Sequence, residues 1–313
     1  MTPYFSVVTT VYNKAHFVKS TIESILEQSF SDFELLIVDD GSSDNSLEIL
    51  NSIADDRITV YSTKNQGVSK ARNYGISKAK GKYIALCDGD DIWLDNHLSE
   101  LDSLTKAFPN CGIYSTAYEK HYFETYIKAP TFSHVDHPFF GIVEDYFKTS
   151  LADSILWTSV VAIPKTVTDK GYIFDDELGW GEDNDLWIRL ACNFKVAFSS
   201  KPTAHKKIYA EENHLSLTKN IPNLLKMLAK HKVAEQENPS LKAYLDVNRF
   251  MIAMEAKLRG DYSNYKKAKN EIDLKHLNKK LRLLLILPSS MLQLLKRLKF
   301  FLLRNQIYSS PFN

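Results

Sequence analysis

The stretch KYIALCDGDDIW, residues 82–93, joins an apolar run directly to a cluster of carboxylates. Its first half is a short apolar segment of the kind that forms a buried strand. Its second half places Asp88, Asp90 and Asp91 so close together that their charges repel one another unless a cation lies among them. The stretch therefore predicts a strand that ends at a cation-binding site.

Upstream of this stretch, strand-like runs alternate with helical periods. Strands are predicted at 4–11, 33–40, 57–63 and 82–88, and helices at 14–28, 44–54 and 67–79. Crossovers of this kind place helices on the faces of a parallel sheet. We expect an α/β fold with a Rossmann-like, mainly parallel sheet flanked by helices. Its ligand should bind at the carboxyl ends of the strands.

The rest of the chain divides into an irregular middle and a helical end. In the middle, strands are predicted at 155–164, 195–200 and 204–210, and a helix at 182–192. After Asn220 only helical periods follow, at 223–236, 240–260 and 262–272. We expect one domain over residues 1–219 and a helical C-terminal region over 220–313.

Composition sets limits on the class of protein. The 313 residues are 44% hydrophobic and 25% charged, which is typical of a globular protein, and the net charge of +1 argues against a nucleic-acid partner. The three cysteines lack the spacing of a zinc or disulfide motif. The first residues do not resemble a signal peptide, and no apolar run is long enough to cross a bilayer. We expect a cytoplasmic protein with reduced thiols.

Neighbouring strand ends carry further polar groups. VDDGSSD (38–44) adds carboxylates, TVYNK (10–14) adds an aromatic ring and an amide, and GVSKARNYGI (67–76) adds Arg72. Aspartate oxygens are ligands for a hard cation such as Mg²⁺ or Mn²⁺, and an arginine binds phosphate. This combination favours a nucleotide diphosphate held through a metal. The alternative for DGDD alone is a solvated acidic turn in which Asp91 caps a helix.

Three segments, residues 5–46, 65–91 and 179–191, together resemble the family 2 glycosyltransferases, which have the GT-A fold. The resemblance spans roughly residues 4–218 and implies an inverting transfer of a sugar from a nucleotide diphosphate sugar to an acceptor hydroxyl. It implies that Thr9 and Tyr12 border the nucleotide base, that Asp40 hydrogen-bonds this base, and that Arg72 lies near the base or the phosphates. It also implies that Asp88 contacts the ribose or a metal-bound water, that Asp90 ligates Mg²⁺ or Mn²⁺, and that Asp91 supports the donor sugar.

GEDNDLW, residues 181–187, supplies the remaining role in this resemblance. It implies that Asp183 is the base that takes the acceptor's proton, with Glu182 beside the sugars. The other reading is that both carboxylates only begin a helix, where the dipole favours them. Trp180 is a candidate wall for a sugar ring, as is Trp157.

The metal shell is less well defined by the sequence. Family members often carry a histidine after this helix, between a Tyr-Arg pair and a Ser pair. In this chain Tyr209 is followed by Ala and Glu, and His214 is displaced. His214 is therefore a candidate metal or diphosphate contact or a surface residue, and His205 is a weaker candidate.

The C-terminal tail, residues 279–305, is apolar and basic and is interrupted at Pro288. From Leu274 to Asn313 the chain has eight Lys and Arg but no Asp or Glu, so the preceding residues carry a net charge of −7. Such a tail is typical of a helix on an anionic membrane surface, here the inner leaflet. The alternative is packing against its own domain or another chain.

We therefore expect a hexosyl- or N-acetylhexosaminyl-transferase that uses a UDP-sugar to build bacterial surface polysaccharide, such as lipopolysaccharide or capsule, on a glycan or lipid-linked acceptor. One alternative is a non-catalytic sugar- or nucleotide-binding module on the same fold. Another is a sugar nucleotidyltransferase, but TTVYNKAHF (9–17) lacks the glycine-rich basic loop that a triphosphate requires.

Overall fold

The computed structural model describes residues 2–122, 126–208 and 220–307. The described residues form one sheet of ten strands that is flanked by helices. The sheet reaches from the first strand of the chain to the strand that follows the GEDNDLW helix.

The N-terminal part alternates strands and helices as expected. Its elements are β1 (Phe5–Val11), α1 (Val18–Leu26), β2 (Phe33–Asp39), α2 (Ser46–Asn51), β3 (Ile58–Ser62), α3 (Val68–Lys78) and β4 (Tyr83–Asp88). The strands pair in parallel in the order β3-β2-β1-β4. Their apolar residues, such as Val7, Ile37 and Ile84, are fully buried. The polar residues that follow β1, β2 and β4 therefore meet at one edge of the sheet.

The middle of the chain extends the same sheet. Its elements are β5 (Ile92–Trp93), α4 (His97–Ala107), β6 (Ile113–Tyr122), β7 (Tyr126–Lys128), β8 (Phe140–Ile142), α5 (Tyr146–Thr149), β9 (Val161–Pro164), α6 (Lys165–Thr168), α7 (Glu182–Asn193) and β10 (Val196–Ile208). The sheet continues β4-β9-β6-β10-β5, and β9 is antiparallel to both of its neighbours. β6 and β10 consequently run in the direction of the first four strands, which confirms a mainly parallel sheet.

Two predictions for this region were wrong in detail. The strand predicted at 155–164 begins only at Val161, because residues 158–160 form a 3₁₀ turn. That turn directs Ser159 to the DGDD segment, where its hydroxyl donates to Asp91 Oδ2. The two short strands predicted at 195–200 and 204–210 are the single strand β10. Its pairing with β6 shifts register on both sides of Pro202, which has no N–H to donate.

The C-terminal helices pack directly on this sheet-containing part. They are α8 (Ile221–Lys230), α9 (Ala234–Glu237), α10 (Pro239–Leu258), α11 (Tyr262–Asn270), α12 (Lys279–Ile286) and α13 (Ser289–Arg304). Leu241 and Leu245 of α10 are fully buried in the same apolar core as the sheet, and the ring of Tyr244 lies 5.9 Å from that of Tyr146. The predicted boundary at residue 219 falls outside the described residues, so this division stays a prediction. Among the described helices we find none with the length and apolar character that a membrane span requires.

Candidate active site

Gly89 sets the position of the DGDD segment against β1. Its N–H donates to the carbonyl oxygen of Thr10 at 3.1 Å. A Cβ at this position would lie 2.8 Å from the same oxygen, so a larger residue would push the two segments apart. Glycine therefore allows DGDD to lie against the carboxyl end of β1.

Arg72 joins the DGDD segment to the GEDNDLW helix. Its Nη2 donates to Asp88 Oδ1 at 2.7 Å and its Nη1 to Glu182 Oε1 at 2.9 Å. The guanidinium is buried and lies over the ring of Phe174, 4.9 Å from its centroid. Burial would lower the pKa of Arg72, but the attraction of Asp88 and Glu182 outweighs it and raises the pKa above its ordinary value. One permanent cation thus links two motifs that are far apart in the sequence.

Asp90 and Asp91 point to different partners. Lys14 Nζ lies 2.6 Å from Asp90 Oδ2, and both side chains are largely buried. Asp91 Oδ2 accepts from the Ser159 hydroxyl at 2.6 Å. Burial, together with repulsion by Asp90 and Asp88, raises the pKa of Asp91 well above its usual range. Arg72 and Lys14 thus place two cationic side chains beside the aspartates of DGDD.

The donor set of DGDD fits the expected metal. Asp88 and Asp90 offer only carboxylate oxygens, which Mg²⁺ and Mn²⁺ prefer. Both carboxylates already attract cationic side chains, Arg72 for Asp88 and Lys14 for Asp90. A divalent ion that also holds phosphate needs only one or two protein carboxylates, a number that these residues can offer.

The carboxylates of the GEDNDLW helix stand on the first turn of α7. Gly181, which precedes the helix, has a φ of 78°, a left-handed conformation that favours glycine. Burial and repulsion by Asp183 raise the pKa of Glu182, which Arg72 partly offsets. Asp183 accepts through Oδ1 from the backbone N–H of Asn184 at 2.7 Å.

Asp185, the third acid of this turn, holds the helix in place. It is fully buried, and its oxygens accept from Arg189 Nε at 2.7 Å, Lys230 Nζ at 2.9 Å and His231 Nε2 at 3.1 Å. Burial would raise the pKa of Asp185, but these partners lower it below the usual range. Asp185 therefore fastens α7 to the end of α8.

The residues expected around the nucleotide base occupy different environments. Tyr12 is exposed at the end of β1, and Thr9 is buried with no hydrogen-bond partner for its hydroxyl among the described residues. Asp40 accepts through both oxygens from the loop before α3, at 3.0 Å from the N–H of Gln66 and 2.9 Å from that of Gly67. The oxygens of Asp40 are thus already committed to shaping that loop.

Asp39, which the sequence analysis missed, has a free acceptor. Its side chain is buried, and Oδ1 has no hydrogen-bond partner among the described residues. Asp39 pairs with Val11 and Ile37 pairs with Thr9, so strand alternation puts Asp39 and Thr9 on the same face of the sheet. The doublet Asp39-Asp40 was the available signal, but it did not say which carboxylate faces a ligand.

Lys206 of β10 is a second residue that the sequence analysis missed. Its ammonium lies 4.9 Å from the centroid of the Trp157 ring. Burial lowers the pKa of Lys206, although Asp91 and Asp183 attract the proton. Carboxylates of both segments, Asp91 of DGDD and Asp183 of GEDNDLW, thus act on the charge of Lys206. Trp180 is half-buried in the loop before α7.

The two histidine candidates have different outcomes. His214 lies outside the described residues. His205 faces Glu119 and His121 of β6, with its Nε2 at 3.4 Å from Glu119 Oε2. It therefore belongs to a separate cluster rather than to the DGDD carboxylates.

Comparison with known proteins finds a family profile and several glycosyltransferases that are similar to this chain. Residues 6–147 match the profile of the family described as Glycosyl transferase family 2. An uncharacterized glycosyltransferase of Rickettsia felis is 31% identical over 215 residues, which cover 66% of this chain and 33% of that protein. A Bacillus subtilis protein, TuaG, described as a candidate teichuronic acid biosynthesis glycosyltransferase, is 35% identical over 135 residues, 41% of this chain and 54% of that protein. The chain spans about a third of the length of the first of these relatives.

Solved structures share the fold. S. aureus TarS 1–349 in complex with UDP-GlcNAc aligns over 85% of this chain and 90% of that chain, with a TM-score of 0.60 and 17% identity. The mannosyltransferase PcManGT of Pyrobaculum calidifontis, in complex with GDP-Man and Mn²⁺, aligns over 95% of this chain and 80% of that chain, with a TM-score of 0.60 and 16% identity. At this level of identity the alignments establish a common architecture, and they confirm the expected GT-A fold.

Proposed function

Residues 6–147 of this chain match glycosyl transferase family 2, and on that premise we propose that the chain transfers a sugar from a nucleotide diphosphate sugar to an acceptor hydroxyl. The observation that carries the proposal is the Arg72 bridge, which ties Asp88 of DGDD to Glu182 beside Asp183. A donor-binding strand end and a candidate base are thereby held on the two sides of one buried cation.

The proposed division of labour follows from the side chains. Asp90, with Asp88 through a water, would hold Mg²⁺ or Mn²⁺, which neutralises charge on the departing diphosphate when it is bound. The nucleotide base would be bordered by residues at the ends of β1 and β2, namely Thr9, Tyr12 and the Asp39-Asp40 doublet. Asp91, Glu182 and Trp180 would border the sugars.

Asp183 is proposed as the base of an inverting transfer. It stands on the first turn of α7, where the helix dipole favours the anion. A carboxylate on the side opposite the diphosphate takes the proton of the acceptor hydroxyl as the hydroxyl oxygen attacks the anomeric carbon. Inversion follows because attack and departure take place on opposite faces of that carbon.

We propose UDP as the nucleotide and a surface polysaccharide as the product. TarS is seen with UDP-GlcNAc, and TuaG is described in terms of teichuronic acid biosynthesis, which supports both choices. The acceptor would be a glycan or a lipid-linked saccharide. The sugar would be a hexose or an N-acetylhexosamine.

A thermal-shift screen with UDP, GDP, CDP and dTDP, each with and without Mn²⁺, tests the donor site. We expect UDP to raise the melting temperature in a metal-dependent manner, and Asp90→Asn to remove the metal dependence. Asp95→Asn, an exposed aspartate of the same segment, is the matched control and should respond like the wild type. The absence of any nucleotide response in the wild type would contradict the proposal.

Turnover of the UDP-sugar tests the role of Asp183 as the catalytic base. Asp183→Asn should bind UDP and Mn²⁺ like the wild type but lose transfer by about 100-fold or more, since a positioned base contributes about that factor. Asp176→Asn, an exposed acid in the loop before α7, is the control. Full turnover by Asp183→Asn would show that another group takes the proton.

We also propose that α12 and α13 dock on an anionic membrane surface. Ile286, Leu294 and Phe301 are each more than half exposed, although Leu281, Leu285, Leu292 and Leu303 anchor the same helices in the core. The anchored residues mean that deletion of the tail would disturb the fold, so we prefer substitution of the exposed residues. Ile286→Ser, Leu294→Ser and Phe301→Ser together should reduce sedimentation with phosphatidylserine vesicles while far-UV circular dichroism is unchanged. Undiminished sedimentation would rule out membrane docking through this face.

A further inference from the structure

Glu119, His121 and His205 form a cluster of potential metal ligands at the ends of β6 and β10. His205 pairs with Glu119 across the two parallel strands. Strand alternation places these three side chains on one face of the sheet and puts Lys120 and Lys206 on the other, where Lys206 is influenced by Asp91. His205 and Lys206 therefore project from opposite faces of β10.

The three side chains converge on one point. His121 Nε2 lies 3.2 Å from Glu119 Oε2, and His205 Nε2 lies 3.4 Å from the same oxygen. The ligand atoms of all three residues lie within 4.8 Å of one another. A tetrahedral zinc ion with ligands at about 2.0–2.1 Å keeps neighbouring ligand atoms roughly 3.3 Å apart. The observed spacings to Glu119 Oε2 are close to that figure.

We propose that Glu119, His121 and His205 bind a transition-metal ion of the zinc class, with water in the fourth position. Two imidazoles and one carboxylate are a common ligand set for Zn²⁺, whereas Mg²⁺ prefers oxygen alone. Among the described residues this is the one group of three potential metal ligands whose ligand atoms lie close together, and it includes histidine nitrogens. DGDD and this cluster would consequently select different metals.

The ligand side chains are only partly buried. The side chains are 20 to 33% exposed, so an ion can enter from solvent.

The position of the cluster gives the ion a structural role. His205 also pairs with Ile92 of β5, directly after DGDD, and the register of β10 shifts between Pro202 and His205. A metal bound here would fasten β6 to β10 where their pairing is irregular. It would thereby stabilise the strand that pairs with β5, directly after the DGDD segment.

Zinc titration of matched histidine variants tests this proposal. The protein is stripped with a chelator, and Zn²⁺ binding is measured by equilibrium dialysis in millimolar Mg²⁺, which occupies carboxylate-only sites. The wild type should bind one Zn²⁺, and His121→Asn and His205→Asn should each weaken binding by about tenfold or more. His134→Asn is the control, because His134 is exposed and its φ of 55° suits asparagine.

Two further measurements separate the possible outcomes. Co²⁺ in the wild type should give the intense visible absorption of a tetrahedral site, and Asp90→Asn should retain it. Zn²⁺ should raise the melting temperature of the wild type and of His134→Asn, but not that of the two cluster variants. Equal Zn²⁺ affinity in all the histidine variants, or no Zn²⁺ binding by the wild type, would overturn the proposal and leave the glycosyltransferase proposal untouched.

Discussion

Arg72 and Arg57 make similar contacts in different surroundings. Each pairs with carboxylate oxygens, and each lies over a phenylalanine ring, at 4.9 Å for Arg72 and 4.6 Å for Arg57. The side chain of Arg72 is 7% exposed, whereas that of Arg57 is 30% exposed. Water therefore screens the ion pair of Arg57. The charges of Asp88 and Glu182, in contrast, are compensated by a buried arginine, Arg72.

Replacement of each arginine by lysine should expose this difference. A lysine at position 72 cannot reach two carboxylates with a rigid fork, so one of them is left buried and unpaired, at a cost of about 2 kcal/mol or more. Arg57→Lys should cost less than about 1 kcal/mol, as is usual for exposed pairs. Urea unfolding of the two variants measures both values. Equal losses would contradict a structural bridge at Arg72.

The doublet Asp39-Asp40 shows where reasoning from the sequence stopped. The sequence located a carboxylate pair at the end of β2, and the structure confirms that place. Adjacent residues of a strand face opposite sides, however. Only the packing shows that Asp40 binds the loop before α3, while Asp39 Oδ1 has no partner in the described part of the chain. A motif specifies residue types, and the three-dimensional contacts decide which of them is available.

Asp39→Asn and Asp40→Asn should therefore behave differently. Asparagine at position 40 turns an NH₂ group toward the N–H of Gln66 or Gly67, which should lower the free energy of unfolding by about 2 kcal/mol. Asparagine at position 39 should leave stability nearly unchanged and weaken UDP binding. Urea unfolding and isothermal titration of UDP measure the two effects. If only the replacement of Asp40 weakened UDP binding, the sequence-based prediction that Asp40 hydrogen-bonds the nucleotide base would stand.

At the scale of elements, long periodic segments were easier to predict than irregular ones. α3, α7 and α10 lie close to their predicted ranges because their apolar spacing follows the helical period. β10 was divided into two strands because Pro202 and its polar neighbours interrupt the pattern. The interruption is tolerated in the fold because parallel pairing with β6 resumes at His205. Long-range pairing of this kind is not encoded in a local pattern.

The link between α7 and α8 predicts an acid-sensitive contribution to stability. The partners of Asp185 hold its folded pKa below the ordinary value of 3.8. A carboxylate with a lowered folded pKa contributes stability above the unfolded pKa, and that contribution is lost as the pH falls through 3.8 toward the folded pKa. We therefore expect Asp185→Asn to be less stable than the wild type at pH 7, with a difference that narrows below about pH 4.

Urea unfolding between pH 7 and pH 3 measures this effect. Asp175→Asn is the matched control, because Asp175 also pairs with Lys230 but is more exposed than Asp185. It should show the same trend with a smaller amplitude. A difference for Asp185→Asn that does not change with pH would mean that packing, rather than ionisation, fastens the two helices.

At the scale of the whole molecule, opposite charges are separated along the chain. Residues before Leu274 carry a net charge of −7, and those from Leu274 onward carry eight basic side chains without an acid. Lys296, Arg297 and Arg304 are exposed on α13, among exposed Leu294, Leu298 and Phe301. An anionic surface would attract this end of the molecule and repel the body. The separation of charge therefore supports an orientation in which α13 faces the lipid.

Charge-matched variants test this orientation. Lys296→Gln, Arg297→Gln and Arg304→Gln together should weaken binding to phosphatidylserine vesicles by about 3 kcal/mol, since each basic residue near the surface contributes about 1 kcal/mol. Lys170→Gln, Lys195→Gln and Lys266→Gln remove the same charge from exposed positions elsewhere and should have little effect. Vesicle binding by the wild type should also fall as salt is raised, because salt screens the attraction. If both triple variants lost binding equally, the net charge of the protein would matter rather than the face that α13 presents, and docking through this helix would be contradicted.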